Sequence, residues 1–194
     1  MSKILPLFST PVGQKSLTLD NKAIEDYALS LKSNNKGRQK SMRNGWQSDD
    51  TDNPILNPLK TEIINYTKEY RSFLKIKCAF KIDNMWFNIN NNAGMNLEHW
   101  HPNCLLSGVY YVRCNDSNGN LYFRNPNPVD FDWGKDIEIY EDFKDNIVAA
   151  DTWDFVPKEG DLYLFPSWAK HGVLSNTTNN NRISISFNIS NKGQ

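Results

Sequence analysis

The chain holds only three histidines, and their placement is that of a metal site. His99 and His101 fall in the run HWHPN, and His171 follows the strand-like run GDLYLFPSWAK. Side chains alternate between the faces of an extended strand, so imidazoles at i and i+2 point the same way. Two such imidazoles repel when charged and waste hydrogen-bonding capacity when buried, so packing alone gives the pair no purpose. A third histidine from a distant strand closes a facial set of three nitrogens and leaves coordination positions open for oxygen and a substrate. Three imidazoles without a thiolate suit Fe(II), Zn, Cu, Ni or Co, and they disfavour a structural zinc site. Glu98 flanks the pair, but alternation sends it to the opposite face, which makes it a weaker ligand candidate.

Arg182 opens the alternating segment RISISFNI. There Arg182, Ser184 and Ser186 share one face and Ile183, Ile185 and Phe187 the other. A guanidinium is a rigid fork that matches a carboxylate. A polar stripe of Arg and Ser opposite an apolar one fits a barrel whose interior binds a carboxylate.

The elements that position these residues change character along the chain. ILPLF, stopped by Pro11 and Gly13, reads as an edge strand. A helix starts at Asp20 as N-cap, with Ile24, Tyr27, Ala28 and Leu31 on one face. Residues 34–53 show almost no apolar periodicity and read as loop, carrying Trp46 in NGWQSDD. A second helix spans 57–73, its stripe made by Leu59, Ile63, Ile64 and Tyr70. After Lys75 the pattern turns to short period-two runs: MWFNI, NLEHWH, LSGVYYV, NLYFRN, DLYLFPS, HGVLS and RISISFNI. Such spacing predicts a sandwich or barrel. The stretch 126–157, with Trp133 and Trp153, reads as a long insertion of the kind that forms lids and binding loops. The 194 residues fit a single domain: an N-terminal helical support region, 1–80, and a β core, 81–194.

Composition excludes several classes. With 22 basic and 22 acidic residues the formal charge is zero, so no global field argues for nucleic acid. Locally, Lys32, Lys36, Arg38, Lys40 and Arg43 lie in a stretch without acids, while 130–145 is acidic; these could attract one another across a cavity mouth. No apolar run approaches a membrane span, and the N-terminus lacks a signal-peptide core. Cys78, Cys104 and Cys114 are an odd set without CxxC spacing, which predicts a reduced, cytoplasmic protein.

The runs HWHPNCLLSGVYYV, GNLYF, GDLYLFPSWAKHGV and RISISFNI together resemble the 2-oxoglutarate/Fe(II)-dependent oxygenases, in a branch with phage and bacterial members. The resemblance covers Trp86 to Ile189, and LFSTPV and GWQS more loosely. It implies a mainly β fold with N-terminal helices, a double-stranded β-helix (a jelly-roll, cupin-like barrel) with Fe(II) at its mouth. It also implies a dioxygenase that couples decarboxylation of 2-oxoglutarate to hydroxylation of a substrate, with O2 consumed; for a phage-borne gene the setting is the host cytoplasm. By this resemblance His99 and His171 match metal ligands and Arg182 the residue gripping the far carboxylate of 2-oxoglutarate. Ser184 matches the serine of Arg-x-Ser members, and Tyr111 a tyrosine bonding the same carboxylate. Asn88 is a weaker cosubstrate or substrate contact.

His101 departs from the pattern, because most of the superfamily places Asp or Glu there. A neutral imidazole leaves the site one negative charge short, which weakens Fe(II) binding or alters which anion enters. Cupins share the barrel and the H-x-H pair, and Gly160, Pro166 and His171 match the spacing of their second motif. Trp168 and Ser175 depart from that motif, and Leu105 or Leu106 replaces the glutamate of the first. This alternative predicts the same three ligands in a 2-oxoglutarate-independent dioxygenase or a non-enzymatic metal-binding module. Arg182 favours the oxygenase, since cupin chemistry has no standing need for a carboxylate clamp.

Overall fold

The computed structural model describes Lys3, residues 7–127 and residues 150–192. Its axis is a 20-residue strand, Phe80–His99 (β3). The first part of β3 pairs antiparallel with β9 (Arg182–Asn191), from Phe80↔Asn191 to Asn90↔Arg182. Its last residues pair instead with β8 (His171–Val173), through Asn96↔Val173 and His99↔His171. Between the two, Ala93 takes a left-handed φ of 58°. One strand thereby serves two layers, and the sequence-predicted MWFNI and NLEHWH are its two halves rather than separate strands.

On one side the order continues from β9 to β4 (Leu106–Arg113), β7 (Asp161–Pro166) and β1 (Gly13–Ser16). On the other it runs from β8 to β5 (Leu121–Arg124) and β6 (Thr152–Phe155). This is the path of a double-stranded β-helix. Alternation along each strand feeds two cores. Phe87, Ile89, Tyr110, Val112, Ile183, Ile185 and Phe187 face outward under the helices. Val109, Tyr111, Leu121, Phe123, Tyr163 and Phe165 face into the barrel.

The helices cover the outer face. Helix α1 (Asn21–Asn34) is capped by Asp20, whose carboxylate accepts from Ala23 N at 3.0 Å, and it buries Ile24 and Ala28. Helix α2 (Asn57–Leu74) carries Pro58 in its first turn and buries Leu59, Ile63, Thr67 and Tyr70. Ile64, expected in that stripe, is only half-buried, and Thr67 takes the place on the buried face.

Several expectations fail or are met only in part. Residues 4–6 of ILPLF lie outside the described residues, Leu7 and Phe8 form an exposed turn, and the edge strand among the described residues is β1. The predicted loop 34–53 contains β2 (Met42–Gln47), paired with β3. A bulge at Asn44, with φ 48°, leaves Asn44 exposed between Met42 and Trp46, and the adjacent Trp46 and Gln47 are both buried, so no period-two signal survives. Part of the insertion 126–157 is strand β6, whereas 128–149, including Trp133 and the acidic run 130–145, lies outside the described residues.

Candidate metal centre

The site is assembled where β3 ends and β8 begins. His99 is the last residue of β3 and stands opposite His171, the first of β8. Directly opposed residues of an antiparallel pair share a face, so both rings enter the barrel. Their centroids lie 4.5 Å apart. His101 lies beyond the strand, so alternation does not place it. Its backbone N–H donates to Ser167 O at 2.9 Å, and its ring stacks on His171 with centroids 5.2 Å apart. One nitrogen from each of the three rings lies within 4.8 Å of the others. Glu98 points away and pairs with Arg124 at 3.0 Å, as the alternation predicts.

Hydrogen bonds orient two of the rings. His99 Nδ1 lies 2.7 Å from Leu97 O and His171 Nδ1 lies 2.8 Å from Ala169 O. A carbonyl only accepts, so each Nδ1 carries the proton and each Nε2 keeps a free lone pair. Burial holds the imidazoles neutral: it pushes His171 down to about 3 and His101 down to about 4, the latter helped by His99 and Lys40, and it lowers His99. Phe165 and Phe123 wall the site beside His171, and Trp86 lies against His101. Two preset nitrogens and a third from His101 beside them, all on neutral rings, make a group that could hold a metal ion.

Arg182 stands at the start of β9, 1% exposed, two residues before Ser184, which lines the cavity of the three histidines. Its Nη1 donates to Asn118 O, to Leu174 O at 3.2 Å and to Gly119 O at 3.4 Å. Gly119 has a φ of 93°, and a Cβ there would strike the Leu174 carbonyl, so only glycine lets these groups meet. Nη2 is buried without a partner, and so is the Tyr111 hydroxyl. Burial lowers Arg182, while Tyr111 opposes that shift, which places the two groups within electrostatic reach. No carboxylate among the described residues pairs with this guanidinium.

Tyr111, Ser184 and Asn88 form one row across β4, β9 and β3, through Tyr111↔Ser184 and Asn88↔Ser184. Gln47 extends the row by pairing with Asn88. Gln47 and Ser41, from the stretch read as loop, line the same cavity as the three histidines, with Asn96 and Ser186. Gln47 carried no independent signal in the sequence beyond its place in GWQS. Trp46 is buried and donates to Asn35 O at 2.8 Å, while Trp100 is exposed with Lys170 over its ring. Trp153 lines a separate cleft of about 470 Å³, with Val12 and Phe155, on which Phe123 also borders.

Fold and site together are those of a jelly-roll protein with a three-histidine group that could hold one metal ion. Residues 84–188 match the sequence model of a 2OG-Fe(II) oxygenase family, and the chain belongs to that family of Fe(II)- and 2-oxoglutarate-dependent dioxygenases. No curated protein matches the chain. Among solved structures it is similar to a Pseudomonas putida prolyl-4-hydroxylase, at TM-score 0.63 and 13% identity over 96% of each chain. It is also similar to HygX from Streptomyces hygroscopicus, solved with nickel, 2-oxoglutarate and hygromycin B, at TM-score 0.61 and 9% identity; the match covers 95% of this chain and 84% of HygX. A third is the viral collagen prolyl hydroxylase vCPH from Paramecium Bursaria Chlorella virus-1, at TM-score 0.57 and 10% identity, covering 92% of this chain and 94% of that one. At such identities the likeness is one of fold.

Proposed function

We propose that His99, His101 and His171 hold Fe(II), and that Arg182 and Tyr111 bind the distal carboxylate of 2-oxoglutarate, flanked by Ser184 and Asn88. The observation that carries the reading is the unmet guanidinium. A buried cation costs several kcal/mol unless an anion meets it, and Nη2 and the Tyr111 hydroxyl are both left without partners. A carboxylate accepting from both removes all three penalties. Tyr111 stands in one row with Ser184, Asn88 and Gln47, and the last three line the cavity of the three histidines. A cupin-like, 2-oxoglutarate-independent reading leaves these atoms without a function.

Bound there, Fe(II) and 2-oxoglutarate supply the oxidising chemistry: O2 is consumed, succinate and carbon dioxide are released, and one oxygen atom goes to a substrate C–H bond. The protein's part is positional. Leu97 O and Ala169 O keep two imidazole nitrogens aimed inward and unprotonated. Phe123, Phe165 and Leu121 keep water from the reacting end. The substrate reaches the metal past Phe123, from the cleft lined by Trp153 and Phe155. The free thiols of Cys78, Cys104 and Cys114 support a reduced, cytoplasmic setting. Among the described residues no helix is long and apolar enough to cross a membrane.

The test is to load the protein with Fe(II), add 2-oxoglutarate and O2 without substrate, and measure succinate. Slow, metal-dependent succinate release is expected. Its absence, with metal bound at all three histidines, would overturn the cosubstrate assignment.

A further inference from the structure

A chain of buried amides runs from the sheet edge into the cavity. Gln47 Nε2 donates to Asn88 Oδ1 at 3.2 Å, and Asn88 Nδ2 donates to Ser186 Oγ at 2.9 Å. Gln47 is 4% exposed and Asn88 3%, and all three residues line the cavity that holds the histidines. The chain has a direction. A serine oxygen that accepts from an amide keeps its own proton to give elsewhere. Were the order reversed, Asn88 would accept from Ser186, and that proton would be turned back into the protein. In the same orientation Gln47 Oε1 is buried without a partner, a bare acceptor that repels an anion. Negative charge is therefore drawn to the Ser186 side of the cavity and away from Gln47.

We infer that Gln47 is a positioning residue for the anionic cosubstrate: acting through Asn88, it holds the Ser186 hydroxyl as a donor toward the ligand. The inference rests on the proposed binding of 2-oxoglutarate between Arg182 and the histidines. Ser186 stands four residues along β9 from Arg182, about 13 Å at roughly 3.3 Å per residue. It thus serves the end of the ligand nearer the metal, a duty distinct from the clamp at Arg182. Gln47 touches no reacting atom in this scheme; it sets the sense of the chain.

The experiment is a calorimetric titration of 2-oxoglutarate into Ni(II)-loaded protein, on the wild type, Gln47→Glu, Ser186→Ala and the double variant. A carboxylate at 47 cannot donate, so Asn88 turns to donate to it and the Ser186 proton leaves the cavity. Each single variant should weaken binding about tenfold or more, the loss of one hydrogen bond to a charged acceptor. The double variant should bind no more weakly than Ser186→Ala alone, because both changes remove the same bond. Simple repulsion between Glu at position 47 and the ligand would instead persist in the Ser186→Ala background, and losses that multiply would overturn the inference. So would a Gln47→Glu or Ser186→Ala protein that binds within threefold of wild type. If Gln47→Glu fails to fold, Asn88→Asp reads the same reversal, since a carboxylate at 88 accepts from both neighbours. Wild-type protein that took up Ni(II) but no 2-oxoglutarate would overturn both this inference and the cosubstrate reading beneath it.

Discussion

Replacing Arg182 by methionine separates ligand binding from folding. Two terms oppose one another in the ligand-free protein. The variant strands the Asn118, Leu174 and Gly119 carbonyls that Nη1 satisfies, at about 1–3 kcal/mol for each one left buried and unpaired. It also removes a buried, unpaired guanidinium whose desolvation costs several kcal/mol. The net change in ligand-free stability is therefore modest. Nothing offsets the loss on the ligand side. At least one charge-assisted bond from Nη2 disappears, about 1.5–3 kcal/mol, or roughly 10- to 100-fold in affinity. With 2-oxoglutarate at a hundred times the wild-type Kd, ligand stabilises the wild type by about 2.7 kcal/mol. A hundredfold weaker variant gains about 0.4 kcal/mol at the same concentration. Thermal unfolding of Ni(II)-loaded protein with and without 2-oxoglutarate measures this directly. Nickel content should match the wild type, since the hydrogen bonds of Arg182 go to Asn118, Gly119 and Leu174 and to none of the histidines. A variant that keeps the full ligand-induced rise in Tm would refute the clamp.

His101→Asp restores the carboxylate common in the superfamily and should tighten metal retention roughly tenfold or more, as measured by competition with a chelator. In metal-free protein the histidines are buried neutral with folded pKa values below the unfolded value near 6.5, so the unfolded state binds more protons in acid. Their contribution is complete above pH 6.5 and is lost as pH falls toward 4 and then 3; a loss on the order of 3 to 5 kcal/mol is expected in denaturant melts, and His101→Gln should flatten that slope. Metal and 2-oxoglutarate should each tighten the other's binding by the same factor, and titrations showing metal affinity indifferent to 2-oxoglutarate would contradict this.

The sequence was most legible where a strand keeps its period. Ser184 and Ser186 face the cavity, and Ile183, Ile185 and Phe187 face the helices, as alternation requires. Tyr110 and Tyr111, adjacent in sequence, fall into opposite cores for the same reason. His101 reaches the site by another route, a turn whose Asn103 has a φ of 64° and whose backbone is tied to Ser167. There the i, i+2 argument placed His101 beside the other two histidines for the wrong local reason. Legibility ended at β2. Asn44 breaks the alternation, Gly45 must lie against the Ile89 carbonyl, and the strand's polar residues face a cavity that only tertiary structure creates. Gln47 was invisible because its role depends on Asn88, a neighbour 41 positions away.

The absent carboxylate at position 101 and the isolated cation at position 182 are two sides of one electrostatic design. A protein carboxylate beside the metal would cancel part of its double charge before any ligand arrived. Here the three imidazoles are held neutral by burial, and Glu98, next to His99 in sequence, is turned outward onto Arg124. The Arg182 guanidinium is buried with no acid among the described residues to meet it. The positive charge of a divalent ion and of Arg182 is thus left for a doubly negative ligand that reaches both. In a surround walled by Phe123, Phe165 and Leu121 the attraction is weakly screened, so a dianion gains from both ends while a monoanion satisfies only one. Selectivity for a dicarboxylate follows from what the protein withholds as much as from what it supplies.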